Sequence, residues 1–391
     1  MTRFFAPFGL YWHLLLDLIL THVYAIAFLN TGYASIAALL MAIDALFKAT
    51  LMVFLSRLTV PLSPVLRGRI SVLLRFGLIG IWYGAIIQLP IHSIAVSFFL
   101  PFIFFKLVLA VDSSLSTEFI FSLQESFQVD ISQSAAAMNI LMRSGTAIAP
   151  AAALLLLTTP YATEVVILIA LVLGIISTLL LRKIFFSQKN PHHFLHKEHT
   201  PFSVLIKNSL MRWGLYFQFL VNLAFSGVAF LFLAKLKLSG NIFLNEITIL
   251  YTAFFIAQLL VLIGGDDLIP VKKPIHLIGM MVLCAFLILT SGFSNDFMRL
   301  GICALIGLIY SLMLSGSQKI ITSRLRGKGY VEYSSWAQMI GRFTSFGSTA
   351  SLGLLMSEGL SSSLLLIVCG GIGIVSAFLL AFTVGKVNGN T

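Results

Sequence analysis

Val165-Val-Ile-Leu-Ile-Ala-Leu-Val-Leu-Gly-Ile-Ile-Ser-Thr-Leu-Leu-Leu181 runs for seventeen residues without a charge. Leu364–Phe382 does the same. A helix rises about 1.5 Å per residue, so a run of this length reaches across most of a bilayer's hydrocarbon core. In lipid the backbone must satisfy its own hydrogen bonds, which leaves helices or closed barrels. Barrel strands alternate polar and apolar residues. These runs are continuously apolar, so they read as helices. The whole chain has this character. Hydrophobic residues make up 59% of 391 positions and charged residues only 10%, against about 25% charged in a soluble domain.

Twelve such runs are expected: 9–29, 34–55, 71–89, 93–115, 135–157, 163–181, 211–234, 245–263, 275–292, 298–317, 334–356 and 363–384. The breaks between them carry turn chemistry, as at Asn30-Thr31-Gly32, Gly264-Gly265-Asp266-Asp267, Ser291-Gly292 and Glu358-Gly359. The predicted fold class is an all-α membrane protein with twelve transmembrane helices in two pseudo-symmetric six-helix bundles. Its expected parts are an N-terminal bundle, 1–181, a cytoplasmic central loop, 182–210, and a C-terminal bundle, 211–391. The first run lacks a cleavage-site pattern and is expected to stay as a span.

Lys and Arg orient the chain, because cytoplasmic loops hold the excess. Even-numbered loops and the termini hold Arg57, Arg67, Arg69, Arg182, Lys183, Lys272, Lys273, Lys319, Arg324 and Arg326 among others. Odd-numbered loops hold Lys235, Lys237 and, at the edge of a span, Arg299. Both termini are therefore expected in the cytoplasm, in a plasma or bacterial inner membrane. The net charge of +11 belongs to lipid headgroups and membrane potential rather than to nucleic acid.

An internal repeat accompanies the two halves. At an offset of 199 residues Gly174-Ile-Ile-Ser-Thr-Leu-Leu-Leu181 falls on Gly373-Ile-Val-Ser-Ala-Phe-Leu-Leu380. Arg143 then falls on Arg342, and Asn139 on Gln338. Duplication of a six-helix unit explains the coincidence, and repeats are frequent in transporter folds.

Several function classes find no support. Cys284, Cys303 and Cys369 all lie in apolar runs and have no metal-ligand spacing. His192, His193, His196 and His199 sit in the basic central loop without cysteines, where a solvated loop competes with a metal site. There is no phosphate-binding Gly-x-x-x-x-Gly-Lys run and no catalytic constellation, so neither an enzyme nor a cofactor is expected.

Ionisable groups inside the membrane cost about 2.5–3.5 kcal/mol each on insertion scales, which makes them functional candidates. His13 and Asp17 lie four apart on the first span, and Asp44 and Lys48 four apart on the second. A carboxyl in a low-dielectric cavity takes up a proton more readily than one in water. His13, Asp17, Asp44 and Lys106 are thus the candidate proton-coupling set. The competing reading is a set of structural pairs. Arg143 and Arg342 offer forked guanidiniums suited to an anionic substrate, against snorkelling to the headgroups. The second half offers Gln218, Asn222, Gln258, Tyr251, Tyr310 and Trp336 to bind a substrate's organic body, against interhelical hydrogen bonding or packing.

Short motifs carry a family resemblance. Phe102-Ile-Phe-Phe-Lys106-Leu-Val-Leu-Ala110 resembles the fourth-span motif of the major facilitator superfamily, with Lys for the usual Arg and Ala for Gly. Gly145-Thr-Ala-Ile-Ala149-Pro150 is similar to the small-residue element of that family's antiporters, where close packing of helices needs small side chains. Gly265-Asp-Asp267-Leu-Ile-Pro-Val-Lys272-Lys273 resembles its acidic-then-basic loop, whereas Arg57 to Arg69 lacks the acidic member. The resemblance implies packing or gating roles for Gly145, Pro150 and Asp267, alternating access, and a monomer. The expected function is secondary transport, as proton-coupled efflux of a small organic molecule, a drug-like compound or a secreted metabolite such as a siderophore. An uptake carrier for a nutrient or metal chelate is the alternative, and a non-transporting scaffold or sensor the second. Protons, the lipid bilayer and the solute are the expected partners.

Overall fold

A computed structural model describes residues 162–186, 202–235, 246–264, 271, 273–325 and 330–388, with isolated positions between 43 and 80. All regular structure among the described residues is helical. The elements are α1 (Ala162–Phe186), a short α2 (Phe202–Leu205), α3 (Ser209–Lys235), α4 (Glu246–Gly264), α5 (Pro274–Phe293), α6 (Asp296–Leu325), α7 (Tyr330–Ser357) and α8 (Ser362–Asn388). Seven of them fall on the sixth to twelfth expected spans. By length and composition α3, α5, α6 and α8 each suffice to cross a membrane. The chain is an integral multi-pass membrane protein.

The chain divides into two compact units, with α1 in the first and α2 to α8 in the second. In α1, Gly174 is buried and its carbonyl accepts a hydrogen bond from the Thr178 hydroxyl at 2.8 Å.

Helix ends are set by local chemistry. Asn208 caps α3, its side-chain oxygen accepting from the backbone N–H of Leu210 at 3.0 Å and Met211 at 3.2 Å. Asn295 caps α6 through Met298 N–H, and Ser361 caps α8 through Leu364 N–H. At the end of α7, Gly359 adopts a φ of 91°. The Leu360 N–H then reaches Leu355 O and the Gly359 N–H reaches Met356 O, which satisfies two orphan carbonyls.

One expected break is displaced. Ser291-Gly292 reads as a turn, yet α5 continues through it to Phe293 and the chain turns at Ser294 and Asn295. Gly292 has a different task. A Cβ there would lie 2.6–2.7 Å from Ile367 and the Ser363 carbonyl of α8. The glycine lets two helices approach, not the chain turn. Similarly α6 runs to Leu325, well past the expected end at 317.

Within the second unit, α5 packs on α8, α4 on α6, α3 on α7 and α8, and α5 on α6. Contacts along α3 and α7 rise together: Gly214 meets Tyr333, Gly341 meets Gln218 and Asn222, and Gly227 meets Leu352. These helices are parallel. So are α4 and α6, where Gly307 meets Leu250 and the Ser311 hydroxyl donates to Phe254 O at 3.2 Å. The α5–α8 pair runs antiparallel, with Gly292 against Ser363 and Ala285 against Gly373. Exchanging α3 with α6, α4 with α7 and α5 with α8 maps the α5–α8 pair onto itself and each of the other pairs onto another of them. Three is an odd number of crossings, so the second triplet is inverted relative to the first. The unit is an inverted repeat of three helices, a plan that recurs in transporters.

The core is apolar, with Trp213, Phe217, Phe230, Phe232 and Phe254 almost fully buried. Most exposed residues of α5 and α8 are large and apolar, among them Leu283, Phe286, Val375, Phe378 and Phe382. This is the composition of a lipid-facing surface.

Candidate functional site

One group of polar side chains of the second unit gathers where α3 meets α7. Asn222 is buried; its amide nitrogen donates to the Gln218 carbonyl at 2.7 Å, and its side-chain oxygen accepts from the Ser345 hydroxyl at 3.2 Å. One turn on, the Ser348 hydroxyl donates to the Leu223 carbonyl at 3.2 Å. The Ser226 hydroxyl donates back to the Asn222 carbonyl. Three carbonyls of α3, at 218, 222 and 223, thus accept a side-chain hydrogen bond. Gly341 makes room for this group. A Cβ there would lie 3.0 Å from the amide nitrogens of both Gln218 and Asn222. The result is a hydrogen-bonded seam between parallel helices, in surroundings where an unpaired polar group is costly.

Of the expected substrate-binding residues, the structure brings Gln218 and Asn222 together at this seam. Trp336 and Arg342 lie on α7, the helix that forms its other wall, and both are partly buried. Gln258 lies on α4. Tyr310 is an aromatic packing residue between two helices, with ring centroids 5.9 Å from Phe225 and 6.1 Å from Phe254. Asp17, Asp44, Lys106, His13, Arg143, Gly145, Pro150 and Asp267 lie outside the described residues. Sequence reasoning missed Ser345, Ser348 and Gly341. The spacing of Gly341, Ser345 and Ser348 along one helical face was the available signal.

A second polar group was also missed. Arg299 sits in the first turn of α6, only 5% exposed. Its Nε donates to Ser291 O at 2.8 Å and its Nη2 to Ser294 O at 2.6 Å, so it caps the carbonyl end of α5. Its Nη1 donates to Asp296 at 3.1 Å and lies 3.6 Å from Glu246, the first residue of α4, itself 6% exposed. One guanidinium therefore ties together the ends of three helices.

Deeper toward the start of α3, Trp213 stacks on Phe217 with centroids 5.4 Å apart. The indole N–H of Trp213 is buried without a partner among the described residues. No group of three or more His, Cys, Asp and Glu side chains gathers among the described residues in a way that would hold a metal ion.

No protein-family model and no curated protein sequence matches the chain. Solved structures do. The human organic anion transporter MFSD10 (TETRAN) superposes with a TM-score of 0.66 at 12% identity, over 96% of this chain and 98% of that one. The fucose:proton symporter FucP of E. coli superposes with a TM-score of 0.61 at 15% identity, over 97% and 98%. Both are transporters of the major facilitator superfamily, and the chain has their fold over nearly its whole length.

Proposed function

We propose that this chain, with the fold of major facilitator transporters, is a secondary active transporter that moves a small organic anion by alternating access. The observation that carries the reading is the Asn222–Ser345 seam: a polar wall between two helices of a mainly apolar bundle. Membrane helices keep such groups where a solute or water passes, because in lipid they are costly. The anionic preference rests on Arg143 and Arg342, one in each half at the same repeat position. One structural neighbour is titled an organic anion transporter.

The proton is the proposed coupling ion, carried by Asp17 and Asp44 with His13 and Lys106. A structural neighbour is titled a proton symporter, so a protein of this fold can couple flux to protons. The proposed direction is efflux, with both termini cytoplasmic, acting as a monomer. That symporter gives specific support to a second reading, uptake of a nutrient driven by the same ion. In either case the chain acts on its solute without covalent chemistry.

The test compares small molecules inside cells and in the medium, with and without the gene. A compound that accumulates inside deletion cells and disappears from their medium establishes export and names the cargo. The opposite pattern establishes uptake. No difference across the small-molecule pool in either compartment overturns the transporter reading.

A further inference from the structure

Helix α3 is the most enclosed of the four long apolar helices: 61% of its apolar stretch is buried, against 39–44% for α5, α6 and α8. It nonetheless leaves one stripe open. Arg212, Tyr216 and Phe219 are spaced four and three residues apart, so they share a helical face. Arg212 is exposed, Tyr216 is 55% exposed and Phe219 is 42% exposed. The stripe differs from the open faces of α5 and α8, which carry mainly aliphatic and phenyl groups, with His276 near the start of α5. Here a guanidinium, a phenol and a phenyl ring follow one another over about 10 Å of helix.

Arg212 makes no ion pair with any described residue. Its place in the first turn of α3, where no acidic residue stands, sets a cation against the positive end of the helix dipole. An anion bound there would meet both charges. Guanidinium grips carboxylate through a forked pair of hydrogen bonds, and the two rings below it would stack on an aromatic body.

We infer that Arg212, Tyr216 and Phe219 form a recognition stripe for a small aromatic carboxylate, Arg212 holding the carboxyl group and the two rings the aromatic part. This deepens the transporter reading by naming the class of solute, and it rests on that reading only in taking the chain to bind a small molecule.

The test is equilibrium binding of radiolabelled 1-naphthoate to the full-length protein in phosphatidylcholine nanodiscs, competed with unlabelled naphthoate and with its uncharged counterpart 1-naphthamide. Wild-type protein binds naphthoate and discriminates against the amide. Arg212→Gln weakens naphthoate about tenfold, as expected for a lost hydrogen bond to a charged group, and removes the discrimination. Arg212→Lys restores part of it, since the charge remains and the fork does not. Phe219→Ala weakens both compounds alike. Thermal unfolding without ligand shows that each variant is folded. Absence of naphthoate binding to wild-type protein, or equal binding by Arg212→Gln, overturns the inference. So does loss of the signal when phosphatidylglycerol replaces part of the phosphatidylcholine, because the stripe would then hold lipid headgroups. Failure here with positive flux in cells removes the solute class alone; binding without any flux removes the transporter reading alone.

Discussion

Arg299 and Glu246 approach to 3.6 Å, both nearly excluded from solvent, although one opens α6 and the other opens α4. The same arginine closes α5 through two carbonyls. Breaking a buried pair from one side leaves the other charge uncompensated, at a cost of about 3–5 kcal/mol. Arg299→Ala is expected to lower the unfolding temperature sharply in detergent, since it also uncaps α5. Glu246→Gln keeps both carbonyl contacts and leaves the Arg299 charge compensated by Asp296 at 3.1 Å, so it is expected to cost about 1 kcal/mol. Equal losses in the two variants would show that the carbonyl capping contributes nothing.

Two glycines of one helix make a paired test of close packing. A Cβ on Gly307 would collide with the Leu250 carbonyl of α4, whereas a Cβ on Gly301 would meet nothing within 4 Å. Gly307→Ala is expected to destabilise by about 1–3 kcal/mol through overpacking. Gly301→Ala is expected to stabilise by up to about 1 kcal/mol from helix propensity. Thermal unfolding of both proteins checks the sign of each change.

At the seam, Ser345→Ala removes the donor to Asn222 and leaves a buried carbonyl oxygen without its partner. Interhelical hydrogen bonds in membranes average about 0.6 kcal/mol, so the protein should stay folded. Transport of the cargo named by the cell assay should fall more than stability does. A stability loss with unchanged flux would make the seam purely structural.

The proposed proton coupling has a direct test. Asp17→Asn is expected to abolish pH-driven flux in proteoliposomes while leaving the protein folded and able to exchange solute. Coupled flux at the wild-type rate in that variant would rule Asp17 out as the coupling group.

Much of the fold was readable before any coordinates. The apolar runs and Glu358-Gly359 each rest on local physics: hydrocarbon thickness and the left-handed backbone of a helix stop. Gly292 was misread because glycine answers two needs, a turn or a close approach, and only the position of Ser363 on the neighbouring helix decides which. Arg299 was placed at a span's edge by counting, but its capping role depends on where α5 ends. The seam was half visible. Gln218 and Asn222 are conspicuous amides in an apolar run. Ser345 and Ser348 look like any helical serines until α7 lies beside α3, and they meet partners 123 and 125 residues away.

That separation bears on how the chain is made. The main partners of α3 are α7 and α8, and those of α4 and α5 include α6 and α8. Ser345 is synthesised 123 residues after Asn222, about 6–25 s later at ordinary elongation rates. During that interval Asn222 lacks its Ser345 partner. The 2.7 Å bond from Asn222 to the Gln218 carbonyl is local to α3, so it can form before α7 exists. Nascent α3 can therefore shelter half of its amide while it waits in the insertion machinery, and the order of synthesis makes α7 and α8 the helices whose arrival closes the bundle.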